Sequence, residues 1–369
     1  MSDALITVPE SELESLRDRI HATRWPRPWP TNGWGAGTDP HELRRLAEPW
    51  ADGFDWRAHE RAINALPSHR TTVDAAPVLY LRFDGETADA TPIVLTHGWP
   101  STILEEVELA RRLAHPSEYG AAGERAFTVI VPALPGFAFT PEQPVIPGIA
   151  THELWHALMT QLGFRRYLAH GGDLGAGVSA RLAQAHPEAV AGIHVLATGD
   201  PADQANPTHE EIDHLARSAQ WYADEGGYEH LQRTRPITAA YALNDSPVGL
   251  LAWLLEKYHA WTDHGARVSG ISDDLTLTQA SVYWFTGTIA ASFRPYWEHE
   301  HHPPGPIHVT VPTGLAVFPA DLAHPPRSWA ERNHNVVHHT KMPRGGHFAA
   351  IEEPDLLAAD IRAFAAAAL

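Results

Sequence analysis

The sequence predicts an α/β fold in which helices flank a central, mostly parallel sheet. Short apolar and β-branched runs alternate with helical patterns, as buried parallel strands do, at 78–83, 93–96 and 127–131. From about residue 200 to 300 the pattern is helical and rich in tryptophan, and strand patterns return at 314–318 and 336–339. We therefore expect one α/β core that is interrupted by a helical lid and ends in a helix at 354–367.

The predicted organisation has four parts: an N-terminal meander arm wrapping core and lid (1–75), a first core segment (76–199), the lid (200–300) and a second core segment (301–369). The arm shows no strand pattern. It begins with an amphipathic helix that includes Leu13, Leu16 and Ile20, and the proline-rich segment 25–30 breaks this helix. Spaced tryptophans are expected to anchor the arm to another part of the protein: Trp34, Trp50 and Trp56.

Composition narrows the class of protein. The 27 basic and 45 acidic residues give a net charge of −18, which argues against nucleic acid and anionic membranes as partners. The absence of cysteine excludes disulfides, thiolate catalysis and cysteine–zinc sites. The N-terminus lacks a secretory pattern and no apolar run approaches the roughly 20 residues of a membrane span, so we expect a cytoplasmic protein. Basic residues other than Lys257 and Lys341 are arginine, which is typical of a GC-rich bacterial genome.

The segment His-Gly-Gly-Asp-Leu-Gly at 170–175 follows a predicted strand at 164–169 and precedes a predicted helix at 176–186. A strand, a tight glycine turn and a helix form the context of a nucleophile elbow. Asp173 occupies the position that serine takes in the usual Gly-x-Ser-x-Gly. Since a carboxylate is ionised at neutral pH, we expect Asp173 to attack an electrophilic carbon and form an ester. The alternative is a turn aspartate that caps the following helix.

The remaining members of a triad follow Asp173 in the order acid, then histidine, that this fold uses. Asp321 lies just beyond the 314–318 strand, and His347 follows two glycines at 345–346. We expect Asp321 to orient the imidazole and His347 to act as a general base on water. Taken singly, either residue is an ordinary loop residue, but the ordered combination with the elbow favours the triad.

Two backbone N–H groups are candidates for an oxyanion hole, which stabilises negative charge on a tetrahedral intermediate. Leu174 follows the nucleophile, and Trp99 lies in the His-Gly-Trp-Pro turn at 97–100, directly after the 93–96 strand. The alternative for 97–100 is an ordinary strand-to-helix turn.

Two histidine-containing segments are candidates for a metal site. His152 and His156 form a formal His-Glu-x-x-His zinc signature, but their helix must pack on the sheet and no third ligand has the expected spacing. The histidine-rich segment 299–306 is interpreted as a solvated loop. We therefore expect neither a metal nor a cofactor.

Several motifs distributed over nearly the whole chain resemble those of the microsomal-type epoxide hydrolases of the α/β-hydrolase superfamily, in a soluble bacterial form. They are Arg24-Trp25-Pro26, Phe54-Asp55-Trp56-Arg57, Asn64, the 97–100 turn, Leu134-Pro135-Gly136-Phe137, the 171–173 elbow, the lid segment 244–249 and the segment 345–350. This resemblance implies an α/β-hydrolase fold and no cofactor.

The resemblance also implies that two lid tyrosines, Tyr228 and Tyr296, hydrogen-bond the epoxide oxygen, which needs a donor as it becomes an alkoxide. His97, Trp99, Pro100, Leu174 and Phe348 are the expected substrate-pocket residues. The chain departs from the family at Leu174, where tryptophan is usual, and this departure affects the shape of the pocket floor. The membrane-anchoring segment of microsomal members has no counterpart, which favours a soluble protein.

The expected function is hydrolysis of a bulky apolar or aromatic epoxide to a vicinal diol through an Asp173 ester, in secondary metabolism or detoxification. Its partners would be the epoxide and water, and a homodimer is one assembly that the sequence allows. A haloalkane dehalogenase is an alternative, although its halide is commonly held by an indole N–H that Leu174 does not provide. A catalytically silent member that binds a hydrophobic ligand is the other alternative.

Overall fold

The computed structural model describes residues 4–27, 29–30, 33–140, 150–265 and 269–369. Pro28, in the proline-rich segment of the arm, lies outside the described residues. No helix in the described part of the chain is long and apolar enough to span a bilayer.

One eight-stranded sheet forms the centre of the molecule, with the strand order β1-β2-β4-β3-β5-β6-β7-β8. The strands are β1 Ser68–Val73, β2 Ala76–Phe83, β3 Thr91–Thr96, β4 Phe127–Pro132, β5 Tyr167–Gly171, β6 Val190–Val195, β7 Val309–Val317 and β8 His334–Lys341. Strand β2 runs antiparallel to its neighbours β1 and β4, and every other neighbouring pair is parallel. The predicted mostly parallel sheet is thus confirmed.

Helices cover the sheet and build the lid. The arm contains α1 Glu10–His21, α2 Pro40–Asp52 and α3 Trp56–Asn64. The core contains α4 Val107–Ala114, α5 Thr151–Gln161 and α6 Asp173–Ala185 before the lid. The lid contains α7 His209–Glu225, α8 Gly227–Thr234, α9 Pro236–Asp245, α10 Pro247–Ala260, α11 Asp273–Thr286, α12 Ile289–Ser292 and α13 Arg294–His301. The chain closes with α14 Arg327–Ala330, α15 Ala349–Glu352 and α16 Pro354–Ala368.

Local sequence explains where the main lid helices begin. Thr208 and Glu211 form a reciprocal capping box at the start of α7. Ser246 accepts a hydrogen bond from the Gly249 N–H at the start of α10, and Ser272 caps α11 in the same way. These side chains satisfy N–H groups that a helix leaves unpaired at its first turn. Local sequence therefore accounts for the first residues of α7, α10 and α11.

The sequence prediction missed two strands. Strand β1 lies inside the segment 1–75, so the expectation of a strand-free arm is wrong for Ser68–Val73. Its sequence, SHRTTV, is mostly polar and lies at the edge of the sheet, where one face can remain in water. Strand β6 is fully buried, but its glycine and histidine interrupt the apolar run that would have marked it.

Three predicted boundaries also shift. The elbow strand is β5, Tyr167–Gly171, rather than 164–169, and its helix α6 begins at Asp173 rather than at residue 176. The predicted loop at 299–306 is helical in its first three residues, which end α13. These shifts leave the order of elements unchanged.

Arm tryptophans contact side chains of the lid: Trp34 stacks on His259, Trp50 bonds to Ser281 and Trp56 packs on Phe285. The Trp50 indole Nε1 donates to the Ser281 Oγ at 2.8 Å, and both groups are buried. These contacts support the predicted anchoring, and the four-part division of the chain stays a prediction.

The elbow is held by a close approach of two backbones. A Cβ atom on Gly175 would lie 1.8 Å from the carbonyl oxygen of Thr96, the last residue of β3. Helix α6 can therefore rest directly against β3 only because residue 175 has no side chain. Asp173 itself has a φ of 47°, a left-handed conformation that a non-glycine residue adopts at a cost.

We predict that Gly175→Ala destabilises the protein by at least about 2 kcal/mol, because α6 must move away from β3. Gly177→Ala is the matched control, since a Cβ there meets nothing within 4 Å on the same helix. The control should be neutral or slightly more stable, because alanine favours a helix over glycine. Urea unfolding measures both, and equal stability of the two variants would contradict the prediction.

Candidate active site

The site lies at the carboxyl edge of the parallel strands, where the loops after β3, β5, β7 and β8 meet, as expected for an open α/β sheet. Asp173 follows β5 and begins α6. Its Oδ1 accepts a hydrogen bond from the Trp99 N–H at 2.9 Å, and the Leu174 N–H also bonds to the carboxylate. Both predicted backbone donors therefore reach Asp173. Gly98 makes this possible, because a Cβ there would lie 2.4 Å from the Cβ of Asp173.

His347 and Asp321 come together as the sequence order predicts. The His347 Nδ1 lies 2.7 Å from the Asp321 Oδ1, and its Nε2 lies 3.6 Å from the Asp173 Oδ2. A backbone bridge between Ala320 and Gly346 joins the two loops that carry these residues. The imidazole is thus held with one nitrogen on Asp321 and the other directed at Asp173.

Burial and neighbouring charges shift the pKa values of His347 and Asp173. Burial disfavours the charged imidazole, but Asp321, Asp173 and Glu105 outweigh it and raise the pKa of His347 to about 9. Burial is the main cause that raises the pKa of Asp173, and its backbone donors and His347 oppose that rise. The raised pKa of His347 favours a protonated imidazole at neutral pH.

The 97–100 loop is fixed from behind by His97. Its Nδ1 donates to the Gly98 carbonyl at 3.1 Å, and its Nε2 accepts the Leu134 N–H at 3.2 Å. Burial lowers the pKa of His97 to about 4, so the ring is neutral and can both donate and accept. Since both ring nitrogens contact backbone groups, His97 supports the loop, and its expected place in the pocket lining stays a prediction.

The two lid tyrosines lie together above the loop. The Tyr228 ring, on α8, stacks on the Trp99 indole with centroids 5.3 Å apart, and the Tyr296 ring, on α13, meets the same indole edge-on at 6.0 Å. The two phenol centroids are 6.2 Å apart. The Tyr296 hydroxyl oxygen is buried without a hydrogen-bond partner in the described part of the chain.

Burial, followed by the charge of Asp173, raises the pKa of both phenols above the usual range of tyrosine. Tyr228 and Tyr296 therefore keep their protons at neutral pH and are available as hydrogen-bond donors. The influence of Asp173 on both also shows that they share the environment of the nucleophile.

Aromatic rings surround this group. Phe348 meets the His347 ring edge-on at 5.0 Å, and Leu174 is half-buried against the core. The Pro100 carbonyl accepts the buried Tyr258 hydroxyl at 2.8 Å. Trp261 on the lid lies 5.1 Å from the His347 ring and accepts the His347 N–H through its carbonyl, and sequence reasoning missed it. No local pattern distinguishes Trp261 from the other lid tryptophans.

A second residue that sequence reasoning missed is Glu105, a buried acid just after the 97–100 loop. It bonds to the Ser101 side chain and the Gly98 backbone. Burial and the nearby Asp173 raise its pKa to about 7, while His347 opposes that rise. Two adjacent glutamates in an otherwise apolar stretch, Glu105 and Glu106, were the available sequence signal.

The zinc-like motif on α5 lies in a different network. Glu153 contacts the Nε2 atoms of His152 at 3.3 Å and His186 at 3.0 Å. His156 stacks on His186 with centroids 3.6 Å apart, and its Nδ1 lies 3.1 Å from the Tyr167 hydroxyl. Within the described ranges, no group of three or more histidine, aspartate or glutamate side chains is arranged to hold a metal ion.

The sequence matches two protein-family models and several known proteins. Residues 1–106 match the family model "Epoxide hydrolase N terminus", and residues 91–240 match "alpha/beta hydrolase fold". A Stigmatella aurantiaca protein named "Putative epoxide hydrolase" is 38% identical over 365 residues, covering 97% of this chain and 83% of that protein. Epoxide hydrolase 1 of Sus scrofa is 31% identical over 400 residues, with 97% and 87% covered.

The structure of Aspergillus niger epoxide hydrolase is similar to this one with a TM-score of 0.86 at 28% identity, covering 99% of this chain and 95% of that chain. Similarity of this extent in both sequence and structure shows that the chain belongs to the epoxide hydrolases, α/β-hydrolase-fold enzymes that hydrolyse an ether bond.

Proposed function

We propose that the enzyme opens its epoxide by forming a covalent ester on Asp173, which water then cleaves. The observation that carries this proposal is the placement of the two carboxylate oxygens. Oδ1 is held by the Trp99 N–H at 2.9 Å, and Oδ2 lies 3.6 Å from the His347 Nε2. One oxygen is thus anchored at the oxyanion donors and the other is left to act as the nucleophile.

In the first step, the Asp173 Oδ2 attacks an epoxide carbon and the ring C–O bond breaks. The electron pair of that bond goes to the epoxide oxygen, which receives a proton from a lid phenol. Tyr228 and Tyr296 suit this role because both are protonated and both phenol rings pack on the Trp99 indole, next to the turn that contacts Asp173.

In the second step, His347 takes a proton from water, and the resulting hydroxide attacks Cγ of the Asp173 ester. Negative charge then develops on Oδ1, beside the N–H groups of Trp99 and Leu174. The ester C–O bond breaks, the departing diol oxygen takes the proton of the new carboxyl group, and the carboxylate is restored. The phenolate left by the first step regains its proton from the His347 imidazolium, so the enzyme returns to its starting state. Asp321 stabilises the imidazolium that forms, since it bonds to Nδ1 at 2.7 Å.

The proposed substrate is a bulky apolar or aromatic epoxide, because aromatic rings pack around the Trp99 turn that contacts Asp173. Trp99 packs on Tyr228, Tyr296, Trp261 and Phe293 with centroids no more than 6.0 Å apart. Such epoxides arise in secondary metabolism and in detoxification, in keeping with a role in the cytoplasm. A panel of aryl and alkyl epoxides with product stereochemistry tests this class.

Dehalogenation is less well supported. A halide leaving group needs donors such as indole N–H groups, but the Trp99 Nε1 already donates to the Ser292 Oγ at 3.2 Å. Position 174 holds leucine rather than a second indole. The Trp261 Nε1 is an indole donor without a partner among the described residues, but the two donors packed on Trp99 are the Tyr228 and Tyr296 phenols, which suit an oxygen leaving group.

The ester predicts a defined fate for labelled water. In a single turnover in ¹⁸O-water, the label should enter the Asp173 carboxylate and not the diol, because water attacks Cγ. Mass spectrometry of the peptide that contains Asp173 and of the diol measures this. Repeated turnover, the control, should move the label into later diol molecules. Label in the diol of the first turnover would show that water attacks the epoxide directly.

Removing either phenol should slow ester formation. Tyr228→Phe and Tyr296→Phe should each cost about 3 kcal/mol, near a hundredfold in rate, because the donor acts mainly in the transition state. Hydrolysis of a preformed ester should change little. Rapid-quench measurement of the adduct separates the two steps, and Tyr241→Phe, at an exposed lid tyrosine, is the control. Wild-type rates of ester formation in both variants would place the donors elsewhere.

The two steps should also differ in pH dependence. His347 works as a base only when neutral, so ester hydrolysis is lost as pH falls through the pKa of His347 in the intermediate. That pKa should lie below the value of about 9 in the free enzyme, because esterification removes the Asp173 charge that helps to raise it. Single-turnover rates between about pH 5 and 10 should therefore give a midpoint below 9 for ester hydrolysis. A midpoint at or above 9 would contradict this coupling.

A further inference from the structure

A buried lysine lies beside the lid tyrosines. Lys257, on α10, is only 2% exposed, and its Nζ is 4.5 Å from the centroid of the Tyr228 ring and 5.5 Å from that of Trp261. It forms an ion pair with Glu256 at 2.9 Å. Lys257 and Lys341 are the only lysines among 27 basic residues, and Lys341 is exposed. Lys257 is therefore the one buried lysine of this chain.

Burying an ammonium group is costly unless charges or polarisable groups replace its water. Glu256 provides the charge, and the two ring faces provide electron density to which a cation is attracted. This arrangement directs the positive charge at Tyr228, which the proposed mechanism uses as a donor, and at Trp261, which holds the His347 loop through its carbonyl.

We infer that Lys257 is a positioning residue for Tyr228: its ammonium holds the phenol ring against Trp99 and strengthens its hydroxyl as a donor to the epoxide oxygen. This inference rests on the proposed role of Tyr228. As the phenol proton moves toward the epoxide oxygen, negative charge grows on the phenol, and the adjacent cation stabilises it. The stabilisation is greater in the transition state than in the ground state, so it accelerates ring opening.

The charges around Tyr228 explain why a cation is needed there. After burial, the charges of Asp173 and Glu229 are the main causes that raise the pKa of this phenol, and both disfavour transfer of its proton. The Lys257 ammonium lies 4.5 Å from the centroid of the same ring and, in this inference, counteracts these two charges as the proton leaves. A compact ammonium fits a position buried among rings, whereas the larger planar guanidinium of arginine would need more room.

A double-mutant cycle between Lys257→Met and Tyr228→Phe tests the inference, with ester formation measured by rapid quench. With Tyr228 present, Lys257→Met should slow ester formation roughly tenfold, as expected for loss of a desolvated cation–π contact. With Tyr228→Phe, which has no hydroxyl to tune, the same change should have less than about a twofold effect. Hydrolysis of the preformed ester should stay unchanged, and Lys341→Met is the control at the exposed lysine.

The outcomes separate the two proposals. Equal slowing of ester formation in both backgrounds would make Lys257 a structural residue only and overturn the inference, leaving the role of Tyr228 intact. If Tyr228→Phe slows ester formation strongly but Lys257→Met has no effect, the inference is also overturned and the role of Tyr228 stays intact. No effect of Tyr228→Phe would overturn the proposed donor and, with it, the inference. If Lys257→Met does not fold, Lys257→Gln replaces it in the same cycle. Lys257→Arg keeps the positive charge, so it should retain a faster rate of ester formation than either neutral variant.

Discussion

The hydrogen bond from the Trp99 backbone to Asp173 is the constraint around which the rest of the structure is arranged. It joins the turn after β3 to the turn after β5, and it exists only because Gly98 and Gly175 let two backbones approach closely. The left-handed Asp173 would be unfavourable alone, but packing of α6 against β3 maintains it. His97 supports the same turn from behind, so the position of the nucleophile is determined largely by backbone groups.

Three acidic side chains lie near the imidazole of His347. Asp173, Asp321 and Glu105 all favour protonation of His347, although burial opposes it. The lid contributes the Tyr228 and Tyr296 phenols and the buried Lys257 to this environment. In the proposed mechanism, the core supplies the acids and the base, whereas the lid supplies the groups that meet the leaving oxygen. The two sets of residues also come from separate segments of the chain.

How much could be predicted from the sequence depended on whether a residue carries a local pattern. The elbow at Asp173, the glycine-flanked His347 and the alternation of strands and helices are local signals, and the structure brings these residues together. Tyr228 and Tyr296 required resemblance to a family, because nothing in the lid sequence separates them from packing residues. Glu105, Lys257 and Trp261 are defined by contacts that form only in the folded protein. Strand β1 was missed because its edge position permits polar residues that do not resemble a buried strand.

The contact between arm and lid affects how the chain can acquire its fold. Trp50 belongs to α2, near the start of the chain, and its partner Ser281 is 231 residues further on. During synthesis the first core strands emerge while this indole still lacks its hydrogen-bond acceptor. The arm therefore stays incompletely packed until the lid has been made, and its apolar surface is open to non-native contacts in that interval. Completion of the lid is thus also the event that closes the N-terminal part of the protein.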